Sequence, residues 1–170
     1  MNFVKIPKRV RLNIIKMLFE AKASHLGSSL SVVEILVAMF SSVNIKKIKS
    51  KDINRDRIII SKGHCAAAYN AVMHEFGLIS KRQLNTYHKN NSYLAGHASH
   101  SVKYVEHSTG ALGHGLSVAV GCALGLKSRK IKNSLVLCLC GDGELHEGSI
   151  WESLMLASHK KLDNLVILID

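Results

Sequence analysis

The stretch CLCGDGELHEGSIWE, Cys138 to Glu152, decides the fold. An apolar segment, SLVLCLC (134–140), runs straight into Gly141-Asp142-Gly143, then into acids and a helical pattern from about Ile150 to Lys160. A second apolar segment, LVILID (165–170), follows. Strand, helix, strand is a parallel crossover unit, because parallel neighbours need a long connection between them. RIIIS (57–61) is short, β-branched and apolar, as a strand buried on both faces should be. The expected class is α/β: a mostly parallel sheet with helices on both faces.

Helical periodicity fills the remainder. Val10, Ile14, Met17 and Leu18 recur at the spacing of an amphipathic helix. In SVVEILVAMF (31–40), Ser31 followed by Glu34 predicts a capping box that opens a second helix. GHCAAAYNAVMHEFG (63–77) reads as a helix closed near Gly77. Ser80 and Gln83 repeat the capping pattern. GALGHGLSVAVGCALGLKSRK (110–130) is a glycine turn and then a helix of small residues suited to close packing.

The chain has 170 residues, 47% of them hydrophobic, with one proline and 5% aromatics, which is the composition of one globular domain. Its apolar runs are too short and too interrupted for a membrane span. The start, MNFVKIPKRVRLNIIK, lacks the apolar core and cleavage site of a secretory signal, so a cytoplasmic location is expected. Cys65, Cys122, Cys138 and Cys140 form no Cys-x-x-Cys pair and read as free thiols. Cys138 and Cys140, two apart in a strand, should share one face. The formal net charge of +11 is spread over several segments without aromatic interleaving or a nucleic-acid motif. It reads as solvated surface that favours encounter with anionic small molecules.

Three groups of residues are candidates for chemistry. Asp142 stands between glycines at the carboxyl end of a strand, the edge where α/β sheets bind ligands. A carboxylate there suits magnesium, a hard ion that shares oxygen ligands with phosphates; an ordinary strand-to-loop turn has the same composition. His25, His64 and His97 lie in glycine-containing loops, and imidazole can donate to phosphate or move protons near neutral pH. Each taken singly also reads as polar surface. STGALGHGLSVAVG (108–121) is either a ligand-facing glycine turn or a helix-packing motif, and no Gly-Lys-Ser/Thr closes it as a P-loop.

Taken together, ASHLGSSLSVVEILVAMF, DRIIISKGH, LAGH, STGALGHGLSVAVG, GDGELHEGSIWESLMLAS and KLDNLVILID resemble the amino-terminal, diphosphate-binding part of the transketolase family, in the family's order and over nearly the whole chain. The resemblance implies thiamine diphosphate and Mg2+ as cofactors and transfer of a two-carbon ketol unit from a ketose to an aldose. It implies that Asp142 binds the metal and that Gly141 and Gly143 shape the diphosphate cradle. His64 would bond the diphosphate. His25 and His97 would be catalytic, contacting substrate oxygens. Gly110 and Leu112 would line the cofactor, and Glu147 would be the acid at the subunit interface that communicates with the other cofactor site. Substrates would be sugars or sugar phosphates, with no nucleic acid or membrane partner.

The resemblance also carries departures. The family's next metal ligand is an Asn beyond the aspartate matched by Asp170, and its activating glutamate lies in a pyrimidine-binding domain. The family's Gly-His-Pro turn is here Gly96-His97-Ala98. Residues 1–170 are therefore expected to be a single domain that stops before the family domain is complete. Such a chain would depend on a homo-oligomer, a carboxyl-terminal subunit, or both. The alternatives are a non-catalytic remnant or interaction module of the same fold, and a deoxyxylulose-phosphate synthase-like enzyme.

Overall fold

The computed structural model describes residues 4–170. Helix α1 (Lys5–Ala21) is followed by α2 (Leu26–Leu30), α3 (Val33–Ser41) and α4 (Ile45–Ser50). Strand β1 (Arg57–Ile60) leads through a 3-10 turn (Gly63–Cys65) into α5 (Ala66–Glu75) and α6 (Lys81–Leu84). A long loop then reaches α7 (His114–Ser128) and β2 (Val136–Cys140). A second 3-10 turn (Asp142–His146), α8 (Gly148–His159) and β3 (Leu165–Ile169) complete the order. The three strands are parallel, in the order β1-β2-β3, with Ile59 opposite Cys138 and Cys138 opposite Ile167.

Side-chain alternation along the strands divides the core in two. Ile58, Ile60, Leu137 and Leu139 pack with α1, α3 and α5. Ile59, Val136, Cys138 and Cys140 face the other way, onto α7 and Ile150 of α8. Helices therefore cover both faces, and β1 and β2 carry almost no polar side chain because both of their faces are dry. Cys138 and Cys140 share a face as their spacing requires, with sulfurs 3.9 Å apart, and all four cysteines are free.

The first helix buries Val10, Ile14, Met17 and Leu18, and α5 ends before Gly77, whose φ of 68° is left-handed. Ser80 and Gln83 form the expected capping box. The capping box at Ser31 does not form. Helix α3 starts at Val33 without a side-chain cap. Ser31 Oγ instead donates to Asp170 at 2.7 Å, and Glu34 takes two bonds from Arg11 at 2.6 and 2.7 Å. Local capping lost to two long-range partners that the sequence pattern does not show. Helix α4 was not expected; Asn44 caps it, its side chain accepting from the amides of Lys46 and Lys47.

Helix α7 lies against β1 at a distance only glycine permits. A Cβ on Gly115 would stand 2.5 Å from Ser61 Cα. The small-residue pattern thus has a packing role at Gly115, while Gly121 and Gly125 meet nothing within 4 Å.

Candidate active site

Parallel strands end together, so the loops after β1 and β2 and the end of β3 share one rim. Asp170 N–H donates to the Cys140 carbonyl at 3.0 Å, and Asp142 N–H donates to the Asp170 carbonyl at 2.9 Å. Asp142 therefore sits at the mouth of two neighbouring strands. It is exposed, and its carboxylate has no hydrogen-bond partner among the described residues. A Cβ on Gly143 would meet nothing within 4 Å, so the backbone there borders open space. The amides of Gly141 and Asp142 are already committed, to Glu144 and Asp170, so Gly141 shapes the turn rather than offering its N–H to a ligand.

The three histidines meet at this rim. His25 lies 5.6 Å from His64 and 5.6 Å from His97, measured between ring centroids. Each ring comes from a different loop. His25 holds left-handed backbone (φ 72°) immediately before α2, a conformation that costs a non-glycine residue of order 1 kcal/mol. His64 occupies the 3-10 turn after β1, and its carbonyl accepts a 3.4 Å bond from Ser28 Oγ. The His97 loop is tied down by its neighbour: Ala98 N–H donates to Gly63 O at 3.3 Å and Ala98 O accepts from Thr109 N–H at 3.0 Å. Thr109 Oγ1 in turn donates to Ile60 O at 2.6 Å. These bonds hold the backbone beside His97 without a proline in the Gly96-His97-Ala98 turn.

Gly110 lies beside His97, its missing Cβ 3.7 Å from the ring's Cδ2. Leu112 is exposed on the same turn. The turn closes at Gly113, whose φ is 80° and whose Cβ would collide with Glu147 and Ser149 at 2.7 Å. Ser149 Oγ also donates to Gly113 O at 2.9 Å. Glu147 thus supports the glycine turn with its Cβ, while its exposed carboxylate is unpartnered among the described residues.

Two residues at the rim, Lys62 and Glu144, have no assigned role in the motifs above. Lys62 is buried, lies along Gly141, and pairs with Asp170. Burial pushes the Asp170 carboxyl up, but the hydrogen bonds from Lys62 and Ser31 outweigh it and hold the group below the usual aspartate range. Glu144 is buried and bonds Ser61, Gly113 and Gly141. It falls three residues after Gly141, where a glutamate reaches back to an N-cap amide, a signal available in the sequence. Burial lowers the His64 pKa first, Lys62 and then His25 lower it further, Glu144 opposes them, and His97 adds a smaller lowering. Neutral His64 can therefore either donate or accept at the rim.

The donor set fits a hard cation and an anion together: an unpartnered carboxylate at Asp142, open space at Gly143, and Lys62 and His64 nearby. No cluster of three metal-ligating side chains occurs among the described residues. A cation here would need oxygen ligands from its bound anion. The cavity of about 480 Å³ lined by Lys127, Lys130, Leu135 and Asn164 lies at the opposite, amino-terminal end of β2 and plays no part in this arrangement.

A parallel sheet with helices on both faces and a rim at its strand ends defines an α/β domain of the kind that takes ligands at that edge. The chain belongs to the transketolase family: the family model for the transketolase thiamine diphosphate binding domain matches residues 4–170. It is 41% identical over 161 residues to an apulose-4-phosphate transketolase subunit of Phocaeicola vulgatus, covering 94% of this chain and 57% of that protein. It is 37% identical over 163 residues to human transketolase, covering 95% of this chain and 26% of that protein. The structure of Campylobacter jejuni transketolase superposes with a TM-score of 0.91 at 32% identity, over 100% of this chain and 28% of that one. The chain thus spans under two thirds of the length of these relatives.

Proposed function

We propose that these residues form the diphosphate-binding half of the active site of an enzyme that moves a two-carbon ketol unit from a ketose to an aldose. The observation that carries this reading is the meeting of His25, His64 and His97 at the strand-end rim that also bears Asp142. Asp142 would hold Mg2+, Gly143 would leave room for the diphosphate, and Gly141 would shape the turn beside it. His64 would donate to a diphosphate oxygen, with Lys62 adding positive charge beside it. Gly110 and Leu112 would line the cofactor where the glycine turn approaches it. Thiamine diphosphate, when bound, supplies the electron sink that allows a carbon–carbon bond next to a carbonyl to break and form.

The histidines do the protein's share. His25 and His97 are exposed toward the rim, where they would bond the donor's hydroxyl and carbonyl oxygens and carry protons to and from them. A positioned imidazole contributes about 10²–10⁴-fold in such transfers. Sugars or sugar phosphates are the substrates, and the chain's net charge of +11 favours encounter with the latter.

Residues 1–170 act as one domain and require a second, pyrimidine-binding domain, which we assign to a carboxyl-terminal subunit. The Phocaeicola vulgatus relative is itself named as one subunit of a transketolase, which supports a divided enzyme. So does the surface: Trp151 is 56% exposed and Met155 65%, both on α8 next to Glu147. Exposed aromatic and Met side chains are enriched at interfaces. Either that subunit or a second copy of this chain would cover them, with Glu147 at the junction. Four unpaired cysteines suit a reducing, cytoplasmic compartment. No helix among the described residues is long and apolar enough to cross a membrane.

The test is a ketol-transfer assay with thiamine diphosphate, Mg2+ and a ketose/aldose phosphate pair. The chain should be inactive alone and active when joined by its complementary subunit. Turnover by the chain alone would overturn the divided-site reading; inactivity of the assembled pair, with bound cofactor, would overturn the reaction.

A further inference from the structure

Glu144 is 1% exposed, yet donors from three separate segments end on its carboxylate. Ser61 Oγ reaches Oε1 at 2.6 Å and Gly113 N–H reaches the same oxygen at 2.8 Å. Gly141 N–H reaches Oε2 at 2.8 Å. Ser61 Oγ also accepts from Gly115 N–H at 3.1 Å, which extends the network to the start of α7. No basic side chain pairs with Glu144 among the described residues. Its oxygens are met by hydrogen bonds alone, the arrangement in which a buried polar group is tolerated.

The three donors have one thing in common. Ser61 precedes the turn that carries His64, Gly113 closes the turn that carries Gly110 and Leu112, and Gly141 precedes Asp142. Each lies within three residues of a candidate ligand residue, and none is itself exposed at the rim. Resting on the cofactor reading above, we infer that Glu144 is the positioning residue of the site: its buried carboxylate clamps the three loops in the one relative placement that binds thiamine diphosphate.

The clamp needs an acceptor on both side-chain oxygens. A glutamine in the same place presents an NH2 group to one of the three donors, so one backbone N–H is left facing another donor in a dry site. The loop bearing that amide must move or take in water. Asp142, His64 and the glycine turn then lose their mutual register, although none of them has been altered.

The experiment uses Glu144→Gln in the protein's native assembly. Thermal unfolding reports on the fold, and calorimetric titration with thiamine diphosphate at saturating Mg2+ reports on the site. The expected result is a folded variant whose affinity for thiamine diphosphate falls about 10–100-fold, as for lost supports of bound groups elsewhere. The apparent KM for the cofactor should rise in parallel, with kcat at saturating cofactor changing far less. A folded variant with a lowered Tm and unchanged affinity overturns the inference and leaves Glu144 a stabilising core residue. A wild-type protein that does not bind thiamine diphosphate overturns the cofactor reading, and this inference with it. Amide exchange in the wild type tests the bonds of the clamp even if the variant does not fold. Gly113 and Gly141 should exchange as slowly as strand amides, and exchange at the rate of exposed loops would overturn the clamp.

Discussion

The imidazoles of His25 and His97 meet edge to face, with ring planes 77° apart and centroids 5.6 Å apart. The two loops that carry them are held together by bonds from Ser28 of α2 to His64 and from Thr109 to Ile60 at the end of β1. Either ring can be removed without opening the core, since both are exposed. His25→Ala and His97→Ala should each lower kcat/KM for ketol transfer about 10²–10⁴-fold in the assembled enzyme. Cofactor affinity should stay within a few-fold. Steady-state kinetics with calorimetry separates the two effects, and full activity in either variant would remove that histidine from catalysis.

Asp142 is exposed, and its carboxylate makes no hydrogen bond or ion pair among the described residues. Asp142→Ala should therefore change stability by no more than about 0.5 kcal/mol. Its effect on Mg2+-dependent thiamine diphosphate binding should be tenfold or more, which corresponds to about 1.4 kcal/mol. Urea unfolding and calorimetry on the same preparation give both numbers. Equal affinity in the variant would take Asp142 out of the metal site.

His64 gives the domain a dependence on pH with a definite sign. Burial first, and Lys62 next, hold its pKa below the ordinary histidine value. The unfolded chain therefore takes up this proton more readily than the folded one. The associated stability is present above the unfolded value of about 6.5 and is lost as the pH falls through the folded value. His64→Gln should flatten this part of the stability curve, and an NMR titration of the wild type should place the imidazole midpoint below about 6.5. A midpoint at or above that value would contradict the burial argument.

Gly115 and Gly121 lie on the same helix and should respond oppositely to alanine. At Gly115 a methyl group would meet Ser61 at 2.5 Å, so Gly115→Ala should destabilise by about 1–3 kcal/mol. At Gly121 the space is empty, and Gly121→Ala should stabilise by about 0.5–1 kcal/mol through helix propensity. Denaturant midpoints of the two variants check this directly.

Period and chemistry along the chain were enough for the α/β class, the parallel unit around Cys138–Glu152 and the amphipathic first helix, because these depend on residues near one another. Motif order added the family and pointed to Asp142 and the three histidines. Tertiary structure alone decided how those residues meet. Ser31 has the sequence of a helix cap, but β3 delivers Asp170 within 2.7 Å of its hydroxyl and the local bond is not made. Glu144 reads as one more acid after Gly-Asp-Gly, yet packing of α7 against β1 places Ser61 and Gly113 around it and takes it out of water. Lys62 looks like a surface cation in Ser-Lys-Gly-His until Gly141 and Asp170 enclose it. In each case the deciding partner is remote in the chain. A hydrogen bond or ion pair gains its strength from burial and from where such a partner is held, and neither is written in local sequence spacing.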